Sequence, residues 1–340
     1  MKKHLVLAIL ICVFSVAGAG YGQVARPNQQ KLAQTGFKFL SVTTDARAGA
    51  MGEAFTSLQS VSAAMFFNPA GMARLEGLAN LSFGKVSWIA DIDYTFGSAA
   101  FRPFDGRFGI FGLTVVSVEY GQFIGTVRAN NVYGYEETGN FSPNAFAVGL
   151  GYAKALSDKF SIGANFKYVK QELGSAITSV QTDGSQSFTN YSAGVAAFDF
   201  GILYRTGFKS LDFGMAVRNF SKELKYVEEG FQLPLTFKIG LSMNATDLLL
   251  PGNKTHGLLL SVDAVHPRDY PEQLNLGAEY LFLETVSLRG GYSTPNDDHH
   301  FSAGAGLQKT FKNYQFALDY AYTPHEVFDT VNRFSVNFSF

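Results

Sequence analysis

Thiols are nearly absent from this 340-residue chain: its single cysteine, Cys12, lies in an apolar N-terminal run. Beyond that run there is no material for a disulfide framework or a cysteine metal site. Lipid attachment at Cys12 is disfavoured, because the preceding Ile11 is bulky where a small residue is needed. Charge is also scarce, at 16% of residues against roughly 25% in soluble domains. The formal net charge of -1 lacks the basic footprint of a nucleic-acid binder. After the N-terminal run, no stretch reaches the roughly 18 apolar residues of a spanning helix. Neither a GxSxG elbow nor an HExxH pair occurs, so no catalytic site and no cofactor is expected.

What is present points to export and then to strands. Lys2 and Lys3 precede LVLAILICVFSVA, and Ala17 and Ala19 are spaced for cleavage, so residues 1–22 read as a secretory leader that is removed. Residues 23–76 are non-repetitive, with a short helix expected between Thr44 and Leu58. From Gly77 to Phe340 the pattern turns to alternation. Phe146, Val148, Leu150 and Tyr152 share one face, while Ala145, Ala147, Gly149, Gly151 and Ala153 share the other, which is the period of a strand. The same pattern recurs from Phe160 to Tyr168, Leu235 to Met243, Leu274 to Phe282 and Tyr314 to Tyr322.

The polarity of this alternation decides the solvent. The face opposite the bulky residues is rich in Gly, Ala and Ser, which suits a crowded lumen better than a hydrated surface, and Tyr recurs near segment ends. Both features fit a barrel whose apolar face meets lipid. The fold class expected is all-β: a transmembrane antiparallel β-barrel of about 14 strands over residues 77–340, with residues 23–76 as a small plug containing a short helix. The segments begin near Gly77, Asp91, Arg107, Asn144, Lys159, Tyr191, Lys209, Pro234, Lys254, Glu272, Thr285, His299, Lys312 and Thr330. Short connections alternate with long ones such as Gly121 to Pro143, an arrangement expected of a barrel in the outer membrane with both termini periplasmic. The ending RFSVNFSF continues the alternation: Phe334, Val336, Phe338 and Phe340 face lipid while Arg333, Ser335, Asn337 and Ser339 face inward. The last strand must pair with the first, since an open edge in hydrocarbon is untenable.

The stretch from Phe37 to Gly77 contains ARAGAMGEAF and, after a spacer, AMFFNPAG. These pieces resemble the opening of the PorV/PorQ family, barrel proteins of the type IX secretion system related to the long-chain fatty acid transporters. The resemblance implies a non-enzymatic outer-membrane component that escorts or helps attach cargo bearing a C-terminal signal domain. Its implied partners are outer-membrane lipid, the secretion translocon or attachment proteins, and the cargo. A terminal Phe after alternating apolar residues (Phe334, Val336, Phe338, Phe340) also resembles the signal read by barrel-assembly machinery. The alternative is a transporter of hydrophobic small molecules, gated by a mobile N-terminal segment. From the residues themselves, Gly49 and Gly52 permit close approach in a lumen, and Asn68 before Pro69 marks a turn. Arg47, Gly49, Gly52, Asn68, Pro69, Ala70 and Gly71 are therefore candidate plug residues, structural or gating.

Inward-facing charges include Lys167, Asp199, Arg205, Asp212, Arg218, Lys238, Asp263, Glu279, Arg289, Asp319 and Arg333. Their mixed signs suggest pairs bracing a plugged lumen more than an ion-selective lining. The run Asp297, Asp298, His299, His300 has metal-ligating residue types but no spaced second set, and reads as solvated surface. SAGAGLQKT lacks the Gly-Lys-Ser/Thr ending of a phosphate loop and fits an interior strand face. Tyr120, Phe123, Tyr133, Tyr135 and Phe141 in and before the long loop either form a partner surface or fold the loop onto the barrel mouth.

Overall fold

The computed structural model describes residues 35–340 except 60, 181–185, 254, 297–298, 326–327 and 329. The leader segment, residues 23–34 and both aspartates of the Asp297–His300 run lie outside the described residues. Fourteen antiparallel strands close into a barrel. In chain order they are β1 (Ala79–Ser87), β2 (Asp93–Phe101), β3 (Ile110–Glu119), β6 (Asn144–Ala155), β7 (Phe160–Val180), β8 (Gln186–Arg205), β9 (Asp212–Ser221), β12 (Thr236–Asn244), β13 (His256–Pro267), β14 (Gln273–Phe282), β15 (Val286–Thr294), β16 (Phe301–Phe311), β17 (Tyr314–Thr323) and β18 (Val331–Ser339). Two hairpins stand apart from the wall: β4 (Phe123–Arg128) with β5 (Tyr135–Phe141), and β10 (Leu224–Lys225) with β11 (Gly230–Phe231).

The closure has the physical cause expected of it. β18 pairs with β17 on one side and with β1 on the other, from Asn80↔Ser339 to Ser87↔Asn332, so every wall strand has two neighbours and no edge faces hydrocarbon. Side chains follow the alternation: Phe83, Phe111, Leu150, Phe166, Phe200, Leu288, Phe316 and Phe334 are exposed on the outside. A belt of that extent far exceeds the apolar patches of soluble monomers. Among the described residues no helix is long and apolar enough to cross a membrane; the crossing is made by strands.

Residues Thr35 to Glu76 fill the lumen. The expected helix is shorter than the span Thr44 to Leu58: it runs only from Ala46 to Ala50. Asp45 caps its start, accepting from the Ala48 N–H at 3.0 Å. It stops because Gly52 and Glu53 both take positive φ, 61° and 65°, where the chain turns against the wall. A Cβ at Gly52 would come within 2.8 Å of the Tyr292 nitrogen, so only glycine fits there.

The two ends of the described chain lie at opposite mouths. Thr35 bridges to Gln232, and its hydroxyl donates to Asp269 at 2.5 Å, at the end with the long connections. Gly77 meets Phe340 at the end with the short turns, where the Ala79 N–H donates to the Phe340 carbonyl at 2.9 Å. The expectation of both termini on one side therefore describes the barrel's own ends but not Thr35, because the plug runs the length of the lumen.

Candidate functional site

The site is the contact between plug and wall, and it differs around the circumference. On the side of β12 to β18 it is ionic and hydrogen-bonded. Arg47 makes a bidentate contact with Glu279 on β14, Nε to Oε2 at 2.8 Å and a second guanidinium nitrogen to Oε1 at 2.7 Å. Glu279 Oε2 also accepts from Arg289 on β15 at 2.5 Å, and Arg289 reaches Asp319 on β17 at 2.6 Å. The plug thus enters a chain of alternating charges in which Glu279, Arg289 and Asp319 are buried. Buried charges persist where partners satisfy them.

Neighbouring positions extend the grip. Asp263 accepts from the N–H groups of Phe55 and Thr56 (3.0 and 2.9 Å) and from the Thr56 hydroxyl (2.6 Å). Lys238 lies 3.7 Å from Glu53. Ser335 accepts from the Ala46 N–H at 2.7 Å, and Ser302 accepts from Gly52 at 3.0 Å. Arg333 donates to the Thr43 carbonyl at 2.9 Å and to the Thr323 hydroxyl at 2.8 Å, with its guanidinium 5.6 Å from the Trp88 ring centre. Gly49 is where Arg333 passes the plug: an added Cβ would meet its Cδ at 2.7 Å.

The opposite side, from β1 to β9, holds the plug mainly by close packing. Met65 and Met72 pack with Ile110, Ala100 and Ala153, and they occupy the space that side chains at Gly112 and Gly151 would need. Asn68 is extended (φ -142°, ψ 105°) and caps the 3-10 turn Pro69–Met72, its Oδ1 accepting from the Ala70 N–H at 3.1 Å. Its amide nitrogen donates to the carbonyls of Thr56 (2.8 Å) and Ile202 on β8 (3.0 Å). Pro69 and Ala70 lie on Gly163, where a Cβ would come 2.3 Å from the Ala70 nitrogen, and Gly71 is buried beside them. Among the described residues this wall has one buried ion pair of its own, Lys167 with Asp199 at 2.8 Å. It sits at a β-bulge where Asp199 also accepts from the Asn219 N–H at 2.7 Å.

Of the eleven charges read as inward, most are matched in this way; Arg218 instead reaches the Leu40 carbonyl, at 3.4 Å. Arg205 and Asp212 differ: they lie at the short-turn mouth, Arg205 exposed, and are linked through Gln59 at 2.6 and 2.9 Å. Strand parity does not reveal the partners Glu53 and Ser302, nor Asn80 on β1, which accepts from the Ser62 N–H at 2.9 Å. Parity along a strand tells which way a side chain faces, whereas contacts to a plug depend on how that plug is threaded.

Space in the lumen is limited. A cavity of about 390 Å³ opens near the short-turn mouth, lined by Asp45, Arg47, Glu279, Arg289, Asp319 and Gln315 among others. A second, of about 40 Å³, lies beside Lys167, Asp199 and Arg218. At the long-loop end the plug residues Phe37, Phe39 and Leu40 pack with Val86, Val118, Val169 and Val331. Among the described residues no group of three His, Cys, Asp or Glu is placed to hold a metal ion.

The aromatic residues of the long loop divide. Tyr120 is folded in, its hydroxyl accepting from Gln171 at 3.0 Å, and burial pushes its phenol up to about 12. Phe141 covers Gly174. Tyr133 and Tyr135 stand exposed on the β4–β5 hairpin, with Phe123 half exposed at its root. At the C-terminus Phe334 and Phe338 point outward, with Val336 and Phe340 less exposed.

A family model, the type IX secretion system membrane protein PorP/SprF, matches residues 130–339, well over half the chain. The chain belongs to the PorP/SprF family. The branch suggested by the N-terminal motifs is not confirmed: PorP/SprF is a different family from PorV/PorQ, and its match begins beyond Phe37 to Gly77, where those motifs lie. No curated protein matches the sequence. Solved structures of similar shape include the Pseudomonas putida toluene transporter TodX, with a TM-score of 0.58, 13% identity and coverage of 92% of this chain and 99% of that one. The Ralstonia pickettii toluene transporter TbuX gives 0.56 at 14% identity, covering 87% and 98%. A Pseudomonas aeruginosa FadL homologue gives 0.52 at 10% identity, covering 88% and 98%. At these identities the likeness is one of fold. A PorP/SprF chain is thus an outer-membrane barrel of type IX secretion built on a FadL-like frame.

Proposed function

We propose that this PorP/SprF barrel works in type IX secretion by contact and not by passage: it escorts or helps attach cargo bearing a C-terminal signal domain, with its lumen kept closed. In this reading the short-turn end lies in the periplasm, the long connections face outward, and the outer rim meets cargo and attachment proteins. Arg47, Gly49, Gly52, Asn68, Pro69, Ala70 and Gly71 are structural, holding the plug in place. Phe334, Val336, Phe338 and Phe340 serve barrel assembly.

The observation that carries the reading is the plug's double attachment, to charges on one wall and to close-packed glycine positions on both. The larger cavity is lined by mixed charges and amides, unlike the predominantly apolar pockets that take hydrophobic ligands. The second reading, a transporter of hydrophobic small molecules, is favoured by the fold shared with TodX and TbuX. The deciding experiment is purification of the barrel from its native envelope with identification of what accompanies it. Secretion components and cargo are expected; bound lipid or hydrocarbon without protein partners would overturn the proposal.

A further inference from the structure

The β4–β5 hairpin is a feature that neither the lumen nor the plug explains. Its root is packed: Phe123 and Phe141 stack at 5.8 Å, and Phe141 lies over Gly174 of β7. Its tip is held by its own atoms. The Asn131 side chain accepts from the N–H groups of Tyr133 (3.0 Å) and Gly134 (2.8 Å) and donates to the Tyr135 carbonyl at 2.9 Å. On that ordered turn Val132 is 98% exposed and Tyr133 81%. Bulky side chains fixed in water gain nothing from burial within this chain, but they suit docking, where a rigid aromatic supplies contact area at small entropic cost.

Charge indicates what docks. Counted between the barrel strands among the described residues, the connections at the long-loop end hold eight Asp and Glu against four Lys and Arg, whereas those at the short-turn end hold four against five. Glu136 and Glu137 lie on the hairpin itself, opposite Val127 and Thr126. Such a field attracts cationic partners and repels anionic lipid surfaces.

We infer that the β4–β5 hairpin docks a cationic protein surface, with Val132 and Tyr133 entering an apolar recess and Glu136 and Glu137 facing Lys and Arg around it. The inference rests on the proposed function for placing this end outside the cell, and it adds the chemistry of the partner.

The test uses the full chain in its native cells, with a photo-cross-linking phenylalanine in place of Tyr133. Capture of a protein through a Lys- and Arg-rich peptide is expected. The pair Glu136→Lys and Glu137→Lys should lower that capture about tenfold, and capture in isolated envelopes should weaken as ionic strength rises past about 0.15 M. Heat-modifiable gel mobility verifies that the variant barrel is folded; Thr138→Lys is a milder variant that adds charge beside the same pair. Capture through a neutral or acidic peptide, capture indifferent to both variants, or capture of lipid alone would overturn the inference. A basic partner without a C-terminal signal domain would leave this inference standing and remove the secretion reading. A signal-domain partner held through a non-basic surface would do the reverse.

Discussion

The wall from β12 to β18 and the wall from β1 to β9 grip one plug by different physics. The first presents Lys238, Asp263, Glu279 and Arg333, all buried, to plug charges and backbone, with Arg289 and Asp319 completing the charge chain behind Glu279, in addition to glycines at Gly277, Gly291 and Gly304 that touch the plug. The second presents Gly112, Gly151, Gly163 and Gly201, against which Met65, Met72, Pro69 and Asn68 press directly. An ionic grip is strong only while every partner stays in place, and the loss of one leaves others buried and uncompensated. A packed grip fails more gradually, by the cavity each deletion leaves. The two walls should therefore respond differently to the same kind of truncation.

The largest effect is expected at Glu279. Glu279→Ala strands Arg47 and Arg289 together and should cost about 3–5 kcal/mol, read as a lowered temperature of heat-modifiable unfolding on gels; an unchanged temperature would show that the ionic wall is not holding the plug. Met65→Ala, on the packed wall, should cost about 2–5 kcal/mol depending on collapse of the site, and its deficit, unlike that of Glu279→Ala, should be insensitive to added salt. Asn68→Ala leaves the Thr56 and Ile202 carbonyls without their donor and should cost about 1–3 kcal/mol by the same assay. Tyr133→Ala lies outside both walls and should shift stability by no more than about 0.5 kcal/mol, while lowering partner capture at the outer rim. A large thermal shift there would mean the hairpin belongs to the fold.

Much of this molecule is legible in its residues. Repeated alternation sets the inward faces from Ala145 to Ala153 and from Ser161 to Lys167, and most strands begin within a few residues of where the pattern starts. Legibility fails where the physical constraint that creates the pattern is missing. β8 begins at Gln186, ahead of the Tyr191 suggested by alternation, because the β7–β8 ribbon continues past the lipid-facing part of the wall. The small strands escape notice because β10 and β11 are two residues each, too short to show alternation, and β4–β5 stands outside the wall with neither face against the lumen. In the plug, Asn68 before Pro69 correctly marks a turn, yet nothing in the pattern tells which mouth the segment enters. That choice depends on Thr35 and Lys38 meeting Asp269, more than two hundred residues away.

The central claim is that the plug stays in place while the protein works. It is tested most directly by locking the plug covalently: Ala46→Cys with Ser335→Cys, a pair whose backbone N–H and side chain are already 2.7 Å apart, in a chain whose one native cysteine is Cys12. Cells carrying only the oxidised, locked barrel are assayed for type IX cargo at the surface and in the medium. The account predicts delivery equal to that of the reduced form. Loss of delivery on locking, restored by reduction, would contradict it.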